Sequence, residues 1–100
     1  PVGSPEHAAP ASVEALTLRM AALSHPVRMR LCRYLARSAS TTSELAQVHG
    51  LSAPEVSRHL GVLKKAGLVT TRRRGRYVLH QLDVTVVARL GSDFLEGILR

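Results

Sequence analysis

Four guanidinium groups stand within five positions of this chain, at Arg72, Arg73, Arg74 and Arg76, around Gly75. Just ahead of them runs Ser52-Ala53-Pro54-Glu55-Val56-Ser57-Arg58-His59-Leu60-Gly61-Val62-Leu63-Lys64-Lys65-Ala66-Gly67. A guanidinium carries a fixed charge and a planar fork of donors, which suits phosphate oxygens and the edge of guanine. In the second stretch Val56, Leu60 and Leu63 recur at helical spacing, and Pro54, Ser57, Arg58, Gly61 and Lys65 fall on the opposite side. A polar helix face beside a cationic hairpin fits two features of a DNA duplex. The helix fills the major groove, and arginines on a narrow loop reach phosphates or the minor groove. The plain reading of such a cluster is a solvated charge run; its place at a hairpin tip behind that helix favours contact. Ser57 and Arg58 could equally be ordinary surface residues, but their place opposite the apolar stripe favours base contact. Lys64 and Lys65 suit the helix dipole as well as they suit phosphate.

The elements that would hold these residues can be read from their boundaries. Ser52 and Glu55 have the spacing of a capping box at the helix start, and Gly67 offers a left-handed stop. Upstream, Thr41 and Glu44 have the same spacing, with Thr42 as an alternative cap, ahead of Leu45, Ala46, Val48 and a closing Gly50. Only Gly50, Leu51 and Ser52 separate the two short helices, the spacing of a helix-turn-helix. Residues 68–71 and 77–82 read as strands on either side of Arg74-Gly75. Ser12 caps a first helix with a Val13, Leu16, Met20 and Leu23 stripe. Pro26 suits the first position of a second helix, in which Val27, Leu31, Tyr34 and Leu35 share a face and which should end near Arg37. Asp83 would cap a last helix running through Val87, Leu90, Phe94 and Ile98. Residues 1–11, with three prolines, read as a flexible tail or linker remnant, leaving 12–100 as one domain.

Bulk properties agree. One hundred residues with 45% hydrophobic content suit a single globular domain, and a net charge of +7 calls for a polyanionic partner. No stretch is apolar enough for a membrane span, and residues 1–10 lack the pattern of a signal peptide. A single cysteine fits a reducing, cytoplasmic setting. The chain begins with Pro1, as a processed form or a segment of something longer would. Catalysis is not expected: there is no nucleophile turn, no glycine-rich phosphate loop and no carboxylate cluster. No cofactor is expected either. Cys32, His25, His49 and His80 lack metal-ligand spacing, so no metal site is assigned and Cys32 reads as a core residue. His59 reads as a packed flank of the apolar face, and His80 as half-buried on a strand beside Val78 and Leu82. Gly91 and Gly97 weaken the last helix by about 1 kcal/mol each relative to alanine. With Leu90, Phe94, Leu95, Ile98 and Leu99 it offers more apolar surface than one small domain covers, as a subunit seam would.

From Leu23 to Asp83 the chain resembles the ArsR/SmtB family of bacterial winged helix-turn-helix repressors. The matching stretches are Ser24-His25-Pro26-Val27-Arg28-Met29-Arg30-Leu31, Glu44-Leu45-Ala46, Val56-Ser57-Arg58-His59-Leu60, Leu63-Lys64-Lys65-Ala66-Gly67-Leu68-Val69 and Gly75-Arg76-Tyr77-Val78-Leu79. The resemblance implies a mainly α fold with a small β-hairpin wing, in the order α-α-α-α-β-β-α. It implies a repressor that is a symmetric homodimer built from the first and last helices, with Leu16, Met20, Leu90, Phe94 and Ile98 expected at the interface. Double-stranded DNA is the implied partner. Ser57 and Arg58 match base-reading positions, and Thr42 matches the start of the helix that lies over the backbone. With these, Ser52, Pro54, Lys64, Arg72, Arg73, Arg74 and Arg76 complete the expected DNA surface. Two departures stand out. The third helix lacks the family's Cys-x-Cys pair, and the last helix lacks its metal-binding histidines. Arg74 also precedes Gly75 where an acidic or amide residue is usual. A protein-interaction module, or a metal- or redox-gated member of the family, are the competing readings. No residue pattern names a small-molecule inducer.

Overall fold

The structure is a computed structural model that describes residues 9–100. Most of the expected 1–11 tail therefore lies outside the described residues. The order of elements is α1 (Val13–Leu23), α2 (Pro26–Leu35), α3 (Thr42–His49), α4 (Ala53–Lys65), β1 (Val69–Arg74), β2 (Tyr77–Leu82), α5 (Val84–Ala88) and α6 (Leu90–Leu99).

The boundaries follow from local chemistry. The Ser12 hydroxyl accepts from the Ala15 N–H and opens α1. Pro26 occupies the first turn of α2, and His25 caps it, Nδ1 accepting from the Val27 N–H at 3.1 Å. Thr41, rather than Thr42, is the cap of α3, in a complete capping box with Glu44. Ser52 and Glu55 form a second complete box at α4. Each box satisfies two otherwise orphaned N–H groups, which is why such short helices hold their start points. Gly50 (φ 65°) and Gly67 (φ 78°) supply the left-handed turns after α3 and α4.

The core lies where α2, α3 and α4 meet the root of the hairpin. Leu31, Leu45, Val56, Leu60, Leu63 and Leu68 are fully buried there, and Ala22, Leu35 and Val69 close its edges. Two arginines stitch helix ends across it. Arg28 Nε donates to the Ala22 carbonyl at the end of α1, at 2.6 Å, and Arg19 Nε donates to the Ala66 carbonyl at the end of α4, at 3.0 Å. Both satisfy carbonyls that a helix terminus leaves open.

Two expectations are corrected. The first strand does not stop at Thr71 but runs to Arg74, paired antiparallel with β2 in the register Arg72↔Leu79, Arg73↔Val78, Arg74↔Tyr77. Only Gly75 and Arg76 remain as the turn, with Gly75 at φ 61°, the left-handed first position of a type II′ hairpin. Three of the four clustered arginines thus sit in a strand. The expected last helix is two pieces, α5 and α6, interrupted at Arg89. The β-branched run Val84-Thr85-Val86-Val87 and Gly91 both have weak helix propensity, so the break falls between them. Asp83 does cap α5, its carboxylate accepting from the Val86 N–H.

Candidate nucleic-acid interface

The buried stripe of α4 is Val56, Leu60 and Leu63; Pro54, Ser57, Arg58, Gly61, Lys64 and Lys65 are all exposed on its other sides. Beside them the hairpin exposes Arg72, Arg73, Arg74 and Arg76. Asp93 pairs with Arg19 and Arg89, and among the described residues none of the α4 or hairpin cations lies within ion-pair distance of a carboxylate. The one acid on α4, Glu55, is held below its ordinary pKa chiefly by hydrogen bonds from the Ser52 backbone and hydroxyl, with a smaller contribution from the Arg58 charge.

Strand geometry divides the arginines. Side chains alternate across a strand, so Arg72 and Arg74 share one face while Arg73 points to the other. Arg76, in the turn, stacks on Tyr77, with Cζ 5.2 Å from the ring centroid and Nη2 donating to the Tyr77 hydroxyl at 3.0 Å. The hairpin tip is therefore a two-sided cationic blade rather than a single point of charge.

A histidine fixes this blade to the helix-turn-helix. His80 is buried rather than half-buried, at 4% exposure. Its backbone exchanges hydrogen bonds with Ser40 at 2.8 and 3.0 Å. Its Nε2 lies 3.0 Å from the Thr42 hydroxyl. Thr42 is itself half-buried, so its hydroxyl joins α3 to β2 instead of standing free. Burial, reinforced by the Lys64 charge, pushes the His80 pKa below its ordinary value, and its Nδ1 has no hydrogen-bond partner. Ser52 is exposed but its hydroxyl accepts from the Glu55 N–H at 3.2 Å. His59 packs as the sequence suggests: its ring lies 4.8 Å from that of His25 and Nδ1 is 3.5 Å from Arg28 Nη1.

The residues expected at a subunit seam do not all behave alike. Met20 (40% exposed), Phe94 (47%) and Ile98 (60%) are open, and Leu90 is half-buried. Leu16 is buried at 7% exposure, packed against α6 of its own chain, and it lines the floor of the groove between α1 and α6. Its Cδ2 comes so near Gly97 that a Cβ there would lie 3.7 Å away. Sequence reasoning missed Asp93. That carboxylate is 4% exposed, with Arg19 Nη1 at 3.9 Å and Arg89 Nη2 at 3.7 Å. The i,i+4 spacing of Arg89 and Asp93 was the signal for half of this cluster. The Arg19 contact spans two distant helices and left no trace in the sequence pattern.

Among the described residues no group of three or more His, Cys, Asp or Glu is placed to hold a metal ion. Cys32 is free and buried, and desolvation raises its thiol pKa, which works against thiolate chemistry. No helix among them is long and apolar enough to cross a membrane.

Comparison with known proteins agrees with this geometry. A helix-turn-helix domain family matches residues 23–72. A biofilm growth-associated repressor of Xylella fastidiosa is 38% identical over 68 residues, covering 68% of this chain and 60% of that protein. The HTH-type transcriptional repressor SmtB of Mycobacterium tuberculosis is 39% identical over 72 residues, covering 72% of this chain and 53% of its own length. The chain thus spans 60% and 53% of the lengths of these two relatives. An ArsR-like transcriptional regulator from Rhodococcus superposes with a TM-score of 0.78 at 27% identity, covering 85% of this chain and 79% of the other. With its fold, its capped reading helix and these relatives, the chain belongs to the ArsR/SmtB-type family of winged helix-turn-helix transcriptional regulators.

Proposed function

We propose that this protein binds duplex DNA as a homodimeric repressor, with α4 in the major groove and the β1–β2 hairpin along the adjacent backbone or minor groove. The single observation that carries the reading is the set of exposed cations, none in an ion pair among the described residues, on the outer face of α4 and on the hairpin that follows it. In this reading Ser57 and Arg58 read base edges, with Arg58 suited to two-point pairing with guanine. Pro54 and Ser52 approach the duplex at the start of α4, and Lys64 meets phosphate at its end. Arg72, Arg73, Arg74 and Arg76 supply charge and follow groove width, so they add affinity more than sequence choice. Thr42 contributes by holding the hairpin in place through His80.

The partner copy would cover the exposed α1–α6 surface around Met20, Phe94 and Ile98. Two reading helices then enter successive major grooves about 34 Å apart, and the binding site is near-palindromic. The setting is cytoplasmic, and no catalytic step is involved.

The test is retention of labelled duplex by the triple variant Arg73→Ala, Arg74→Ala, Arg76→Ala, measured at several salt concentrations. The expected outcome is a collapse of binding with dimerisation intact, and a salt slope shallower by about 0.9 for each lost phosphate contact. Unchanged retention overturns the reading of the hairpin. A selection from random duplexes should return sites with two-fold symmetry.

A further inference from the structure

Among the described residues, apolar grooves of nearly equal size open on two sides of the fold. The α1–α6 groove is about 540 Å³, and no charged side chain lines it. The second, about 550 Å³, runs between α2, the end of β2 and α5, over Leu23, Met29, Cys32, Leu82 and Val87. Unlike the first, it is bordered by two arginine side chains, those of Arg30 and Arg33, whose stems join an almost wholly apolar wall.

These two arginines are exposed, and among the described residues neither makes an ion pair. They also border a smaller cleft of about 200 Å³ with Arg37, Tyr34 and His49. Positive charge is therefore concentrated at one lip of an otherwise apolar trough. No acidic residue lines the groove among the described residues. The groove volume lies within the range of about 300–1,000 Å³ typical of small-molecule sites, and an apolar floor with few convergent polar groups is their usual lining.

We propose that the α2 groove is a binding site for a small amphipathic anion, a carboxylate whose apolar body lies along Leu23, Met29, Leu82 and Val87 and whose charged head meets Arg30 and Arg33. The body gains from removal of apolar surface from water. The head gains charge-assisted, bidentate hydrogen bonds that a neutral analogue cannot make. The site is separate from the surface assigned to DNA, and binding at it is measured without DNA.

The experiment follows amide and methyl NMR shifts of the full chain during titration with three probes below their aggregation limits. Decanoate has tail and head, decanol has the tail alone, and acetate has the head alone. Decanoate should bind about tenfold more tightly than decanol, the equivalent of one good charge-assisted contact, and acetate should produce no saturable shift. The perturbed signals should centre on Leu82 and Val87. The double variant Arg30→Gln, Arg33→Gln changes only exposed, unpaired side chains, and should reduce decanoate to the affinity of decanol. Ala36→Phe, which fills the groove from its α2 wall, should weaken both. The proposal is overturned if decanoate and decanol bind equally, if the double variant binds decanoate unchanged, or if the shifts fall on Phe94 and Ile98 in the other groove.

Discussion

The middle of this molecule and its C-terminal end are built on opposite plans. From α2 to β2 the helices have caps whose partners lie within the same few residues, and the leucines they carry are fully covered. From α5 onward the helix is broken, α6 has no side-chain cap, and Phe94, Leu95, Ile98 and Leu99 stand 47–75% exposed. The middle covers its own leucine core. The end does not cover itself: exposed apolar residues in continuous array on a weak helix call for a covering surface. A capped, covered middle and an uncovered end suit the dimer proposed above, since a reading surface must be preorganised and a seam must leave its surface for a copy.

The sharpest way to break this contrast is to charge the unfinished end. Phe94→Asp with Ile98→Asp should dissociate the dimer completely at micromolar concentration, read by sedimentation, because it would bury unpaired charges in the seam. The fold of the monomer should remain, since both side chains are exposed. If the double variant still sediments as a dimer, the seam lies elsewhere. A truncation series then sharpens the comparison. Leu63→Ala in the covered middle should lower unfolding free energy by about 2–5 kcal/mol. Leu99→Ala at the exposed end should change it by less than about 0.5 kcal/mol. Equal effects in urea unfolding would erase the distinction. A smaller loss is expected from Ser52→Ala, about 1 kcal/mol through the α4 cap. This variant should leave the spectrum of α6 unaltered.

The smallest expected effect is pH dependence. The folded pKa of His80 lies below its ordinary value of 6.5, chiefly through burial. The unfolded chain therefore takes up the proton first, and stability rises with pH in this range. The His80 contribution is complete above about pH 6.5 and is lost as pH falls from there toward the lowered folded value. The urea midpoint should drop between pH 7 and pH 5, and His80→Gln should make that drop shallower. What remains belongs partly to His59, whose pKa burial also lowers. A wild-type midpoint flat over this interval would show that His80 does not titrate with folding.

The middle was legible in the sequence because its signals are local. Thr41 with Glu44, and Ser52 with Glu55, each declare a helix start within four residues, and Gly50 and Gly67 declare the stops. The apolar stripe of α4 separated its buried side from Ser57 and Arg58. The hairpin was found, but its first strand was read too short. Arginine is an unusual strand residue by composition, and only pairing with Leu79, Val78 and Tyr77 extends the ladder to Arg74. His80 was placed on the correct strand and too near the surface, because its cover comes from Thr42 and Ser40, nearly forty positions away. The break at Arg89 and the burial of Leu16 and Asp93 escaped for the same reason. Each depends on how α1 and α6 settle against one another, which no short spacing encodes.

Asp93 has a further consequence. Through Arg19 it fastens α6 to α1, and that same Arg19 grips the last turn of α4 by the Ala66 carbonyl. In the proposed dimer joined through α6, the two α4 helices are then tied to the seam through the contacts of one arginine. An operator with its halves moved one base pair closer or farther would strain either the duplex or that tie.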